Sequence, residues 1–344
     1  MKLTADDPND PASIVNGAAI LITGGTGSFG RAFVDRVVRD YKPSRLVIFS
    51  RDEMKQYEMA LDFNDADYPF IRYFIGDVRD VERLTMAMRG IDYVIHCAAL
   101  KHVTAAEYNP FECINTNVIG AENVVRAALN CKVKKVLALS TDKAVNPINL
   151  YGASKLAADK IFIAANALSA GIGSRFSVVR YGNVSNSRGS VAPMFRRLIN
   201  GGAQSLPITD PRMTRFWITL EHGVDFVLSS LAMMCRGEIF VPKIPSIHIT
   251  DLARCMAPDL PHKIIGIRSG EKLHESLITE DDARNTLELD DRYVILPFKR
   301  TDISERFERV GGVPVDESFQ YVSNANSRWL GPEEIRATLK EGRH

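Results

Sequence analysis

Tyr151 and Lys155 stand four positions apart in Tyr151-Gly152-Ala153-Ser154-Lys155. On a helix such residues share a face, so a phenol and an ammonium would lie side by side. That pair suits removal of a proton from a hydroxyl while a hydride leaves the same carbon. Just upstream, Ser140-Thr141-Asp142-Lys143 adds two hydroxyls, a carboxyl group and a second amine. Hydride transfer alone has no use for this extra acid and base, but loss of water from a sugar does. A ketone at C4 makes the C5 proton acidic; a base removes it and an acid protonates the departing O6. Lys143 is the candidate base, on the expectation that Lys155 and an oxidised cofactor depress its pKa, and Asp142 is the candidate acid. The plainer alternative for Asp142 and Lys143 is a solvated loop in which Asp142 caps a turn.

Such groups need a scaffold, and the chain alternates short apolar runs with helical patterns from residue 18 to about 181. Strands are expected at Ala18–Ile22, Arg45–Phe49, Ile71–Ile75, Tyr93–His96, Val136–Ser140 and Phe176–Arg180, and helices at Ala121–Leu129 and Leu156–Leu168. This rhythm predicts an α/β fold with a doubly wound parallel sheet of Rossmann type, whose ligands sit at the carboxyl ends of the strands. After Gly182 the rhythm breaks. Helices are expected at Ser190–Ile199 and Thr219–Met234, with short strands at Glu238–Val241 and Lys263–Ile267. The expected division is a mobile tail over 1–16, a dinucleotide-binding domain over 17–183, and a smaller mixed α/β lobe over 184–344. Parts of that lobe should return to the main sheet.

Thr23-Gly24-Gly25-Thr26-Gly27-Ser28-Phe29-Gly30 follows the first strand and opens a helix. Gly24, Gly27 and Gly30 allow a tight turn and close approach of backbone to a pyrophosphate at a helix N-terminus. An ordinary glycine-rich loop would not need that strand–turn–helix setting. About 20 residues beyond the last glycine, where ribose choice is made, stand Ser50, Arg51 and Asp52, with Lys55 one turn on. A hydroxyl and cations suit a 2′-phosphate, so NADP is expected over NAD. Asp52 could instead cap the following helix. Asp77 and Val78 are placed at the adenine edge, and Cys97, Ala98 and Ala99 leave room for a ribose.

Composition narrows the class. The 344 residues are 45% hydrophobic and 25% charged with net charge +1, which suits a globular enzyme and disfavours nucleic-acid or anionic-membrane partners. No apolar run is long enough to span a bilayer, and residues 1–16 lack the basic and apolar regions of a signal peptide. The five cysteines are scattered without a C-x-x-C, which points to reduced thiols and a cytoplasmic location. The seven histidines show no metal-ligand spacing, so no metal is expected; His96 and His102 are read as packing or hydrogen-bonding residues.

Tyr151 and Lys155, the glycine loop and Ser140 at the end of the fifth strand together match the short-chain dehydrogenase/reductase arrangement. In it Ser140 or its neighbour orients substrate, and Lys155 holds the nicotinamide ribose and lowers the Tyr151 pKa. More specific are Ser140–Pro147, Tyr181-Gly182-Asn183-Val184, Met213–Thr219, Glu238–Lys243 and Gly266–Glu275. With these the chain, from about residue 16 to 335, resembles the configuration-inverting UDP-N-acetylglucosamine 4,6-dehydratases that open pseudaminic acid biosynthesis. These are extended short-chain dehydrogenases/reductases. The resemblance implies that Tyr151 takes the O4 proton as the C4 hydride goes to NADP. Lys143 then removes H5, Asp142 assists loss of water, Thr141 helps hold the sugar, and hydride returns to C6. Protonation of C5 from the opposite face gives the L-arabino 4-keto-6-deoxy sugar. Leu139, Ser140 and Lys101 join the cofactor site. UDP contacts are implied for Lys101, Asn183, Val191, Ala192, Pro193, Met194, Phe195, Arg215, Arg268 and Glu271; apart from the resemblance, Arg268 and Glu271 read as a surface ion pair. A homo-oligomer is implied as well.

Three departures stand out: Ser185-Asn186 in place of Val-Gly, Ser269 in place of proline, and His102 in place of glutamine. Asn186 is expected to alter the floor beneath the nucleotide. Competing readings are a retaining dehydratase, a UDP-hexose 4-epimerase, for which Asp142 and Lys143 would be idle, and a non-catalytic NADP-sensing protein. Retaining dehydratases and related epimerases commonly have methionine in place of Tyr151, and dTDP-glucose dehydratases have Asp-Glu in place of Asp142-Lys143.

Overall fold

The structure is a computed structural model and describes residues 10–297 and 301–340. Six parallel strands form its first half: β1 (Ala19–Thr23), β2 (Arg45–Ser50), β3 (Ile71–Ile75), β4 (Tyr93–His96), β5 (Lys135–Thr141) and β6 (Arg175–Tyr181). Their spatial order is β3-β2-β1-β4-β5-β6. Order reverses between β1 and β4, the kind of crevice in which doubly wound sheets bind ligands. All five residues of β1 are buried, as befits a strand covered on both faces by helices. The helix Ser28–Asp40 contributes Phe33, Val34 and Val37 to the core, each with no exposed surface. Burial of one such side chain is worth about 1.5–3 kcal/mol.

The sheet continues into the second half of the chain. Ile239–Pro242 pairs in parallel with β6, then Arg292–Ile295, Thr286–Glu288 and Val313–Pro314 add on antiparallel, giving ten strands. A separate apolar cluster, which includes Phe195, Trp217, Leu252 and Ile335, holds together the helices Val191–Asn200, Ile249–Met256 and Pro332–Lys340 and the strands Leu206–Ile208, Thr214–Ile218 and Ser246–His248.

Three expectations change. The segment 1–16 is not wholly a tail: Asp10 caps a short helix, Pro11–Val15, and Val15 is fully buried. Residues 1–9 lie outside those described. The strand expected at Lys263–Ile267 spans only His262–Ile264. It pairs with a single three-residue strand, so Ile265 and Ile267 lack a sheet to cover them and stay exposed. The helix expected from Leu156 begins at Leu150, because Asn149 caps it through the Gly152 N–H (2.8 Å). That earlier start is what puts Tyr151 on the helix. Among the described residues no helix is long and apolar enough to cross a membrane.

Candidate active site

A cavity of roughly 640 Å³ opens at the carboxyl ends of the strands. The glycine loop forms one wall, from Gly24 to Gly30. Gly27 ends the helix Ser28–Asp40 without a side-chain cap, so its first N–H groups stay available to an anion. A Cβ on Gly30 would lie 2.5 Å from Gly25, so only glycine lets the helix pack against its own loop. This cradle fits a dinucleotide pyrophosphate. The walls beyond it include Ser50, Arg51, Asp52, Lys55, Asp77, Val78, Cys97, Ala98, Ala99, Lys101, Leu139 and Ser140.

At the ribose end, Ser50 does not offer a free hydroxyl: its Oγ is 2.8 Å from that of Thr26. Asp52 caps the next helix through the Lys55 N–H (3.0 Å) and also accepts from Lys55 Nζ. Arg51 is more loosely held, 3.6 Å from Asp77. Cations are present, each beside a carboxylate.

At the other end, Thr141, Lys143, Tyr151 and Lys155 line the cavity together. Lys155 Nζ donates to the Leu139 carbonyl (2.7 Å). Ser140 does not present its hydroxyl, since Oγ donates to the buried Asp159 (2.8 Å); the Thr141 hydroxyl is the one beside Tyr151 and Asp142. Asp142 is completely buried behind them. Its Oδ1 accepts from Thr141 Oγ1 (2.8 Å) and Lys143 Nζ (3.0 Å), while Oδ2 has no partner among the described residues. The solvated-loop alternative for this turn is therefore excluded.

The protein's own groups do not supply the two shifts expected with an oxidised cofactor. They do not depress Lys143. Burial works to lower its pKa, but the carboxylates of Asp142 and Glu275 overcome this and hold it raised. Tyr151 is not brought down by Lys155. Burial pushes it up to about 12, and the groups working to lower it are Lys143 and the Thr141 hydroxyl. Lys155 itself is lowered, by burial, against the pull of Asp159 and Cys97.

Of the residues implied to touch UDP, Lys101 and Asn183 line the cavity. Asn183 Oδ1 is buried without a partner among the described residues. Ala192 and Phe195 have no exposed surface and belong to the second apolar cluster, and Val191 and Met194 pack against it. Those side chains are core; the wall of the cavity ends just before them, at Ser187–Ser190. Neither they nor Pro193 line it. Arg215 bonds the carbonyls of Thr214, Leu273 and Lys272 and stands 3.7 Å from Glu275, behind the cavity. Arg268 and Glu271 form an ion pair of 3.9 Å outside it. Their loop docks at the start of the helix Leu150–Leu168, where Asn149 donates to the Gly270 carbonyl (2.7 Å).

Asn186 leaves the cavity floor alone. Its φ of +56° is the left-handed conformation that glycine, and next asparagine, adopts most readily. The side chain donates to carbonyls of Thr338 and Leu339 and accepts from Arg196, while Ser185 Oγ also donates to Thr338. Both residues fasten the C-terminal helix Pro332–Lys340. Sequence reasoning assigned nothing to Asn117, which bonds Leu100 in both directions and Ser154, or to Glu275. A π-helical turn, Asn115–Ile119, carries Asn117 inward. His96 is a buried packing residue, its Nδ1 2.8 Å from Thr23 Oγ1.

Fold and site define a Rossmann-type member of the short-chain dehydrogenase/reductase class. The chain belongs to the polysaccharide biosynthesis protein family, which it matches over residues 20–297. It is 56% identical over 321 residues, covering 92% of this chain and 95% of the relative, to the UDP-N-acetylglucosamine 4,6-dehydratase (inverting) of Campylobacter jejuni. It is 42% identical to the UDP-glucose 4-epimerase of Rickettsia massiliae, over 93% of this chain and 94% of that one. Among solved structures, Pen from Bacillus thuringiensis superposes with a TM-score of 0.86 at 35% identity, covering 95% of this chain and 98% of that one.

Proposed function

We propose that this protein is a hydro-lyase that removes water across C5 and C6 of UDP-N-acetylglucosamine and inverts C5. The observation that carries this reading is the joint presence of Thr141, Lys143, Tyr151 and Lys155 around one cavity, with Asp142 locked behind Lys143. The 56% identity to the Campylobacter jejuni enzyme supports it. NADP is the cofactor, on the strength of Arg51 and Lys55 at the ribose end of the cavity. When bound, its nicotinamide supplies the temporary oxidation of C4 and the hydride that returns to C6. Tyr151 takes the O4 proton. Lys143 removes H5 once it has lost its own proton. Asp142 assists loss of O6 through the Thr141 hydroxyl that it holds. Lys101 and Asn183 bind on the substrate side, and Arg268 and Glu271 complete the nucleotide site if their loop closes over it. Arg215, on the strand Thr214–Ile218, supports that loop from behind through the Lys272 and Leu273 carbonyls. The product enters pseudaminic acid biosynthesis, and the protein acts as a homo-oligomer in the cytoplasm.

A 4-epimerase is the second reading, favoured by the Rickettsia relative. An epimerase leaves C5 untouched and gives Lys143 no work. Proton NMR of the purified protein with UDP-N-acetylglucosamine in deuterated water separates the readings. The expected product is the L-arabino 4-keto-6-deoxy sugar with deuterium at C5. A D-xylo product would assign retention, and UDP-N-acetylgalactosamine would assign the epimerase. No turnover with NADP bound would shift the reading to another nucleotide sugar or to the sensing protein.

A further inference from the structure

Glu275 has no part in the reaction as described so far, yet it is built into the site. It lies immediately before the strand Ser276–Ile278 and is 2% exposed. Its Oε1 stands 3.4 Å from Lys143 Nζ and 3.7 Å from Arg215 Nε. Its Oε2 is buried with no hydrogen-bond partner among the described residues; Lys272 Nζ is 4.0 Å away. The backbone is clamped, since its N–H donates to Ser323 Oγ (2.9 Å) and its carbonyl accepts from the Ser323 N–H (2.8 Å). A carboxylate in such a place is costly to desolvate, and an apolar residue would hold the fold at least as well. What it does is complete a cage: the Lys143 amine lies between Asp142 on its own turn and Glu275 from the second half of the chain. The other charged or titratable groups facing Lys143 are Arg215, Lys272, Lys101 and Tyr151.

We propose that Glu275 is a positioning residue for Lys143. It fixes the amine beside Asp142 and sets the pH at which that amine becomes free to act as a base. The inference rests on the dehydratase reading above for its catalytic half and on geometry alone for its electrostatic half. A negative charge at this distance makes the ammonium harder to deprotonate. The base must be neutral to remove H5, so the rate rises with pH as Lys143 loses its proton. Loss of the Glu275 charge should therefore move that rise to lower pH.

Glu275→Gln keeps the size and removes the charge; Glu275→Asp keeps the charge and withdraws it by one methylene. Lysines labelled with 13C at Cε report Lys143 directly by NMR, its signal identified by its absence from Lys143→Ala. In Glu275→Gln, Lys143 should titrate about one to two pH units lower than in the parent protein. The rising limb of C5 deuterium incorporation from UDP-N-acetylglucosamine should move with it. Glu275→Asp should keep the limb near its original pH and lose rate at saturating substrate. A Lys143 titration that does not move in Glu275→Gln overturns the proposal. So does a titration that moves while the limb stays, or a rate that falls in both variants with an unchanged pH profile. A parent protein that forms no dehydrated sugar overturns the dehydratase reading instead, and the NMR titration, which needs no substrate, still decides whether Glu275 holds the Lys143 charge.

Discussion

Lys143 and Tyr151 share a cavity wall but not an electrostatic environment. Lys143 is stabilised as a cation by two carboxylates, and Tyr151 is stabilised as a neutral phenol by burial. Each group is thus held in its protonated form by the protein, the state from which neither acts as a base. Lys143→Ala and Tyr151→Phe are each expected to lower turnover by about 10²–10⁴-fold while leaving dinucleotide binding unchanged. Product NMR and fluorescence titration with NADPH check the two halves of that statement. Near-parental turnover in either variant would remove that residue from the mechanism. The identities of these two residues were legible in the sequence because the spacing four apart needs only a helix to become geometry. Their proton affinities were not, because Glu275 comes from a distant part of the chain, and the motif Gly266–Glu275 does not tell that its last carboxylate reaches Lys143. Ser140 shows the same limit at closer range. It stands at the expected strand end, but a buried acid on the next helix, Asp159, takes its hydroxyl.

The elements that carry these residues meet at one unusually close contact. A Cβ on Gly152 would collide with the Lys143 carbonyl, so the first turn of the helix Leu150–Leu168 rests directly on the turn Asp142–Ala144. Gly152→Ala must push the two apart. Overpacking of this kind costs about 1–3 kcal/mol. Turnover is expected to fall at least about tenfold, beyond what the lost stability alone would cause, since small misplacements of reacting groups are expensive. Thermal denaturation beside steady-state kinetics tests this; an alanine variant with parental activity would show that the turn can shift without consequence. The strands β1–β6 were readable because each is a short apolar run between helical patterns, with boundaries that moved by a residue or so. The start of the regular helical pattern was placed too late because Asn149 announces it only through a side-chain bond to the Gly152 N–H. The isoleucines at 264, 265 and 267 misled in the opposite direction: β-branched residues favour a strand, but a strand also needs a partner along its length.

Over the whole molecule, the second half of the chain is sewn into the first. Arg180 at the end of β6 stands 3.7 Å from Asp159 on the helix Leu150–Leu168 and 3.5 Å from Asp282, and donates to the Leu277 carbonyl (3.1 Å). It is 4% exposed. Arg180→Leu would leave the buried Asp159 without its ion-pair partner and with only Lys155 as a nearby cation, and breaking a buried pair by removing one partner costs about 3–5 kcal/mol. Chemical denaturation of the variant should show that loss, and a change below 1 kcal/mol would mean Asp159 finds another partner or takes up a proton. The break in rhythm after Gly182 was visible in the sequence, and so was the return of some strands to the sheet. Their order was not, because antiparallel additions of two to four residues carry almost no periodic signal.

The backbone N–H of Arg188 donates to Ser28 Oγ (3.1 Å), joining the segment 187–190 to the start of the helix that cradles the pyrophosphate. On the proposed reading the dinucleotide finishes each cycle in the oxidation state in which it began, so it has no reason to leave. On that reading a clasp across its berth would turn a diffusing reagent into a permanent fitting. Exchange of the nucleotide with solvent and turnover of the sugar then become separate clocks, the first governed by how often the clasp opens and the second by the chemistry beneath it.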